Sequence, residues 1–319
     1  MRVLITGASG FVGRHLADRC RAEGATVVGL SRREPEEGAR AALDEHVAAD
    51  LTDAAATAAA VRAAAPQRVF HLAAAASVTA SWSDPRGTLD NNLHGALGLL
   101  EAVRAEAPSA RVLVASSGEV YGAVDADRLP VTEDHPLRPR NPYAHSKAAV
   151  DLLASMHAEV HGLDVVVARA FNHTGPGQSD AYVAGRFARR IAEAEAEGRE
   201  ELQLTTGDLR PRRDFTDVRD VVRAYWLALD RAPAGTYNVC SGAGTQVVDI
   251  LAALVGQTSL RVEQQTDPAL VREHEVMEIR GSNDKLQGAT GWRPELALER
   301  TLRDTLDWWR ERLGAPVPR

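Results

Sequence analysis

Tyr143 and Lys147 stand four residues apart in a chain with five tyrosines and only two lysines, Lys147 and Lys285, among 319 residues. Chance placement of a lysine at that offset has a probability of about 0.03. An i,i+4 step puts both side chains on one helix face, and Asn141 and Pro142 read as the cap and first residue of that helix. A tyrosine, whose pKa is ordinarily near 10, serves as an acid or base at neutral pH only with roughly 4 kcal/mol of electrostatic help. A neighbouring ammonium, that of Lys147, supplies it. Ser117, which closes a short apolar run, can hydrogen-bond the reacting oxygen and complete a Ser/Tyr/Lys proton-transfer set.

A second feature is a glycine loop, Gly7-Ala8-Ser9-Gly10-Phe11-Val12-Gly13, directly after the apolar run Arg2 to Thr6 and before a helix-like stretch. Its spacing is GxxGxxG, not GxGxxG. Glycines permit a tight turn and close backbone approach, and the helix N-terminus offers free N–H groups and a positive dipole end to a pyrophosphate. Gly7, Ser9, Gly10, Phe11, Val12 and Gly13 are therefore the expected dinucleotide contacts. At the end of the second apolar run a NAD site needs a carboxylate for the ribose, but the chain reads Leu30-Ser31-Arg32-Arg33. Guanidinium forks suit a 2′-phosphate, so Ser31 and above all Arg32 predict NADP(H).

The elements that must hold these residues follow from periodicity. Arg2 to Thr6, Thr26 to Leu30, Arg68 to Leu72, Arg111 to Ala115 and Asp164 to Arg169 read as central parallel strands, near-continuous in apolar character. Helical stretches lie between them at Val12 to Glu23, Asp53 to Ala65, Thr88 to Ala107 and Tyr143 to His161. The pattern predicts an α/β fold, a doubly wound Rossmann-type parallel sheet with a smaller C-terminal substrate-binding lobe. Residues 1–170, with a return at about 214–241, make the dinucleotide-binding domain. Residues of about 171–213 and 242–319 make the second lobe, with a charged helix near Arg186 to Glu197 and an amphipathic one near Leu298 to Leu313.

Composition excludes several classes. A net charge of −7 disfavours a nucleic-acid partner, and two cysteines, Cys20 and Cys240, far apart in sequence, make neither a disulfide framework nor a zinc site. They read as small buried hydrophobes. The opening apolar run is too short for a leader or a span, so a cytoplasmic protein without a membrane partner is expected. His157 and His161 share a helix face, but without a third ligand in the pattern no metal is expected. Trp308 and Trp309 read as packing.

Further motifs recur along nearly the whole chain: Asp50-Leu51, His71-Leu72-Ala73, Asn91-Asn92-Leu93, Ser116-Ser117-Gly118-Glu119-Val120-Tyr121-Gly122, Tyr143-Ala144-His145-Ser146-Lys147 and Arg213-Asp214-Phe215-Thr216-Asp217-Val218. With the three glycines they resemble the extended short-chain dehydrogenases/reductases that act on nucleotide sugars. The resemblance implies that Asp50 and Leu51 contact adenine. It places Leu72, Ala73 and Asn92 on the nicotinamide side, and has Lys147 hold the nicotinamide ribose as well as Tyr143 its acidity. It implies a homodimer through the helices Thr88 to Ala107 and Tyr143 to His161.

Within that family Arg169 to Gln178, Arg213 to Trp226 and Tyr237 to Gly242 resemble the enzymes that reduce GDP-linked 4-keto-6-deoxy-mannose more than epimerases or dehydratases. The implied chemistry is NADPH-dependent reduction at C4, with Tyr143 protonating the developing alkoxide and Ser117 polarising the ketone. Glu119 matches the base of the 4,6-dehydratases and keeps that reaction, beside 4-epimerisation, as an alternative. Gly118, however, stands where dehydratases resemble one another in carrying a proton-donating side chain. A non-catalytic NADP(H) sensor is the alternative of a different class, against which the intact Ser117, Tyr143 and Lys147 argue. For the substrate diphosphate and sugar the candidates are Asn172, Arg186, Arg213 and Arg272, the last departing from the family pattern in being followed by Glu273.

Overall fold

The computed structural model describes residues 1–35, 37–271 and 276–317. Seven strands form one all-parallel sheet: β1 (Arg2–Thr6), β2 (Thr26–Ser31), β3 (Glu45–Ala48), β4 (Arg68–His71), β5 (Arg111–Ser117), β6 (Val165–Ala170) and, returning late in the chain, the strand Gly235–Val239. From that late strand the order runs β6, β5, β4, β1, β2, β3. The chain thus winds outward in both directions from the β1/β4 centre. This is the doubly wound Rossmann-type layout that the alternating pattern predicts.

Both faces of the sheet are dry. One is covered by helices Phe11–Ala22 and Val218–Arg231, whose Leu16, Val221, Tyr225 and Leu229 pack on Ile5, Phe70 and Val166. The other is covered by Ala54–Ala64, Gly95–Glu106 and Pro142–His161, with Val61, Leu99, Val103 and Val150 against Leu4, Val69 and Val114. Alanine-rich Ala54–Ala64 is an ordered crossover helix, capped by the Asp53 side chain on the N–H of Ala56.

The single helix expected over Thr88 to Ala107 is divided. Asp84 caps a short helix at Pro85–Leu89, a π turn follows at Asp90–His94, and the α-helix resumes at Gly95. The wider turn leaves Asn92 buried.

A third core packs Phe187, Ile191, Leu202, Leu254, Leu302 and Trp309 between helices Val183–Ala196, Val247–Val255 and Leu298–Leu313, and a smaller fourth one gathers Tyr121, Val131, Phe171, Cys240 and Ile279. Two small sheets accompany them. The strands Asn172–Thr174, Arg212–Asp217, Gly244–Gln246 and Glu278–Ile279 form one, and Glu201–Thr206 pairs in parallel with Arg261–Thr266 in the other. Trp308 and Trp309 meet edge to face at 4.9 Å and serve packing. Cys20 and Cys240 are buried thiols, and burial pushes Cys20 up to about 12. Among the described residues no helix is long and apolar enough to cross a membrane.

Candidate active site

The glycine loop is built as the residue types require. Gly7 has φ +72°, and a Cβ there would lie 2.9 Å from the Ala73 nitrogen. At Gly13 a Cβ would lie 2.2 Å from the Gly7 carbonyl oxygen. Neither position accepts a side chain. Gly10 starts the helix Phe11–Ala22 with no side-chain cap and no acidic residue in the first turn, so no carboxylate competes for its N–H groups.

The floor of the loop is fixed from β1 and β4. The Thr6 hydroxyl accepts from the Ala73 N–H at 3.2 Å and is hydrogen-bonded to His71 Nδ1 at 2.9 Å. Burial, with the Lys147 charge adding to it, pulls His71 down to about 3 and keeps it neutral.

Past the end of β2, Arg32 is exposed and its charge helps to lower Asp50, whose carboxylate is held mainly by the Thr52 N–H at 2.9 Å and hydroxyl at 2.8 Å. Ser31 and Leu51 both have protein partners. The Ser31 hydroxyl donates to the Arg33 carbonyl at 2.8 Å and also meets His46 Nε2 at 2.9 Å. The Leu51 side chain is buried in the core, and a Cβ at Gly98 would lie 2.3 Å from the Leu51 carbonyl oxygen.

Ser117 ends β5, and Tyr143 and Lys147 lie in the first turns of Pro142–His161, which begins where Asn141 Oδ1 accepts from the Ala144 N–H at 2.7 Å. Ser117 Oγ accepts from the Glu119 N–H at 3.2 Å, and its hydroxyl is hydrogen-bonded to the Tyr143 phenol. Burial pushes that phenol up, the bond to Ser117 opposes this, and the charges of Tyr182 and Glu119 reinforce it. Lys147 is 5% exposed and donates to the Ala115 carbonyl at 2.7 Å. Burial draws it down to about 8. Lys147 is thus tied to β5, and the Tyr143 phenol stands above its ordinary value through burial.

The Asn92 amide has protein partners at both its oxygen and its nitrogen. Its Oδ1 accepts from the Ala75 N–H at 2.7 Å, and its Nδ2 donates to Ser146 Oγ at 2.8 Å and to the Ala75 carbonyl at 3.2 Å. Ser146 Oγ in turn donates to the Tyr143 carbonyl at 2.7 Å. The amide ties the loop after β4 to the catalytic helix.

Two turns beyond Tyr143, Asp151 makes a buried two-pronged pair with Arg169 on β6, at 2.7 and 3.1 Å, and accepts from Ser116 Oγ at 3.0 Å. Arg169 also donates to the Tyr121 hydroxyl and the Glu133 carbonyl, each at 3.0 Å. Both charges are paired, and four of the five Arg169 donors have partners, which helps a buried ion pair hold its geometry.

Glu119 is partly buried and accepts from Asn141 Nδ2 at 3.3 Å, beside the helix start. Gly118 lies against Phe171: a Cβ there would be 2.9 Å from Cγ of that ring. Phe171, packed on Gly118, is the residue beside the candidate site that sequence reasoning missed. It stood inside a recognised block without a role.

The substrate candidates are less gathered. Asn172 is exposed beside Phe171, and Arg186 is exposed with its Nε donating to the Asp180 carbonyl at 3.1 Å. Arg213 is partly buried and donates to the Arg212 carbonyl at 2.9 Å. Arg272 lies outside the described residues.

Residues 4–305 match the family described as GDP-mannose 4,6 dehydratase. The chain is 37% identical over 313 residues to a GDP-6-deoxy-D-mannose reductase of Pseudomonas aeruginosa, covering 98% of each. It is 33% identical to a UDP-glucose 4-epimerase of Mycolicibacterium smegmatis, covering 98% of this chain and 99% of that one. Of solved structures, RMD from Pseudomonas aeruginosa complexed with NADPH superposes with TM-score 0.86 at 36% identity, covering 98% of this chain and 100% of that one. UDP-glucose 4-epimerase of Thermotoga maritima with UDP-glucose gives 0.89 at 29% identity, with coverage of 98% and 100%. The glycine loop, the Ser117/Tyr143/Lys147 set and matches of this length agree: the chain belongs to the GDP-mannose 4,6 dehydratase family, among the nucleotide-sugar-modifying extended short-chain dehydrogenases/reductases.

Proposed function

We propose that the protein reduces the C4 ketone of GDP-linked 4-keto-6-deoxy-mannose, using NADPH. The observation that carries this reading is Gly118. The Phe171 ring fills the space a side chain would need, so the proton donor that eliminates water in a dehydratase has no place. The loop whose Gly7 and Gly13 leave no room for a Cβ, the uncapped helix start and the exposed Arg32 without an acid at the end of β2 fit a 2′-phosphorylated dinucleotide. NADPH, when bound, supplies the hydride.

The chain's own part is proton transfer and positioning. Tyr143, kept protonated by burial, gives its proton to the C4 oxygen as negative charge develops there. Ser117, its oxygen fixed by the Glu119 N–H, donates to the same oxygen. Lys147 fixes the helix to β5 through the Ala115 carbonyl and has two further N–H donors for the nicotinamide ribose. Ala73 and Leu72 form the wall beside it. Arg213, Arg186, Asn172 and Arg272 are assigned to the diphosphate and sugar, and Glu119 to substrate positioning.

The division into a dinucleotide-binding domain and a substrate-binding lobe is proposed as drawn from the sequence. A homodimer is proposed through the face on which Leu97, Leu152, Met156 and Val160 stand exposed; a monomeric wild-type chain in sedimentation would end that assignment.

The test is NADPH oxidation with enzymatically generated GDP-4-keto-6-deoxy-mannose, beside GDP-mannose alone. Oxidation with the keto sugar only is expected. Formation of a 4-keto product from GDP-mannose would overturn the reading and make Glu119 the base of a dehydratase.

A further inference from the structure

The helix that carries Tyr143 ends in two histidines one turn apart, His157 and His161, with ring centroids 5.3 Å from each other. The sequence pattern holds no third ligand, but the fold brings one from the neighbouring helix. Glu101, on Gly95–Glu106, completes a trio whose ligand atoms all lie within 4.8 Å of one another, and no other such group occurs among the described residues.

His157 is fully buried, and both of its ring nitrogens face oxygen acceptors. Nδ1 is 3.0 Å from the Leu153 carbonyl, and Nε2 is 2.9 Å from Glu101 Oε1. A neutral imidazole has one N–H for these two acceptors. The Leu153 carbonyl can only accept, so Nδ1 carries a proton, and Nε2 meets the carboxylate through either a second proton or a bound cation. A backbone carbonyl in that place orients a metal-binding histidine. Arg104 donates to the other carboxylate oxygen, Glu101 Oε2, at 2.6 Å and leaves Oε1 facing the rings.

We propose that Glu101 Oε1, His157 Nε2 and a ring nitrogen of His161 bind one divalent transition-metal ion of the Zn2+ type, with water as the fourth ligand. Two imidazoles and one carboxylate select Zn2+, Co2+ or Ni2+ over Mg2+ and Ca2+. Metal–ligand bonds of about 2.0–2.1 Å at tetrahedral angles separate ligand atoms by about 3.3 Å. The Glu101–His157 contact therefore opens slightly, and the exposed His161 swings in. The site lies fourteen residues along the helix from Tyr143, at a rise of about 1.5 Å each, so the ion clamps two helices and takes no part in the reaction.

The experiment uses the full chain after chelator treatment. Zn2+ is titrated by calorimetry and Co2+ by its visible absorption, which reports a tetrahedral site. One ion per chain is expected, with a thermal midpoint that rises on adding Zn2+. His161→Ala, at an exposed position, should keep the metal-free midpoint and weaken binding at least about tenfold, and Glu101→Gln likewise. No saturable uptake below about 100 µM Zn2+ would overturn the proposal and leave a proton on Nε2 in the ion's place. Uptake unchanged in His161→Ala would equally overturn it, since the ion would then be held elsewhere.

Discussion

The wall that carries Ser117, Tyr143 and Lys147 and the rim that carries Arg32, Asn172, Arg186 and Arg213 are built on opposite terms. In the wall each group stands at the end of a buried strand or in the first turns of a buried helix. Its backing is charged, paired and dry, with Asp151 on Arg169 and Asn92 on Ser146. On the rim the side chains stand on strand ends and a helix edge, exposed or partly so, and the inner arginines donate to nearby carbonyls. Proton transfer requires atoms fixed within a fraction of an ångström, so it is placed on the central sheet. Recognition of a phosphate tolerates reach, and a flexible guanidinium supplies it.

The largest effect that sharpens this contrast is loss of the acid in the wall. Tyr143→Phe should lower kcat by about 10³-fold, corresponding to ~4 kcal/mol, and leave NADPH affinity unchanged. Steady-state turnover beside a fluorescence titration of NADPH checks it. Retained turnover would remove Tyr143 from the chemistry.

Next is the cost of holding Lys147 dry. Its folded value of about 8 lies below the ordinary 10.5, so between those pH values the unfolded chain binds a proton that the folded chain does not. Stability from this group therefore rises with pH across that window, by about 3 kcal/mol in full, and the penalty is complete below pH 8. Urea unfolding at pH 7.5 and pH 10 should show the rise in the wild type relative to Lys147→Met. Parallel behaviour of the two chains would mean that the ammonium is not desolvated.

The same division separates what could be read in the sequence from what could not. The glycine loop was legible because its spacing between a strand and a helix is a local pattern. Gly13 is forced by Gly7 and Ala8, although Gly7 itself is forced by the distant Ala73. Tyr143 and Lys147 were legible because helical periodicity alone puts them together. Phe171 against Gly118, and Glu101 against His157, join residues more than fifty positions apart, and no spacing encodes them. The inward turn of Ser31 depends on His46 from the next strand. The π turn at Asp90–His94 interrupts a pattern that reads as one helix, and the strands of the second lobe, some of two or three residues, are too short to show a period.

The smallest effect is on the rim, at Arg32, and it separates cofactor recognition from structure. Arg32 lowers Asp50, but the Thr52 N–H and hydroxyl hold that carboxylate more strongly, so removing the guanidinium leaves the local fold in place. A 2′-phosphate that loses one charged partner at a solvent-exposed edge weakens modestly. Arg32→Gln should raise the KM for NADPH by roughly tenfold with kcat unchanged, and leave kcat/KM for NADH as it was. Equal losses with both cofactors would place Arg32 among the residues that shape the loop. The contrast between a rigid wall and a replaceable rim would then fail at the position where the sequence drew it most simply, two guanidinium groups in place of one acid.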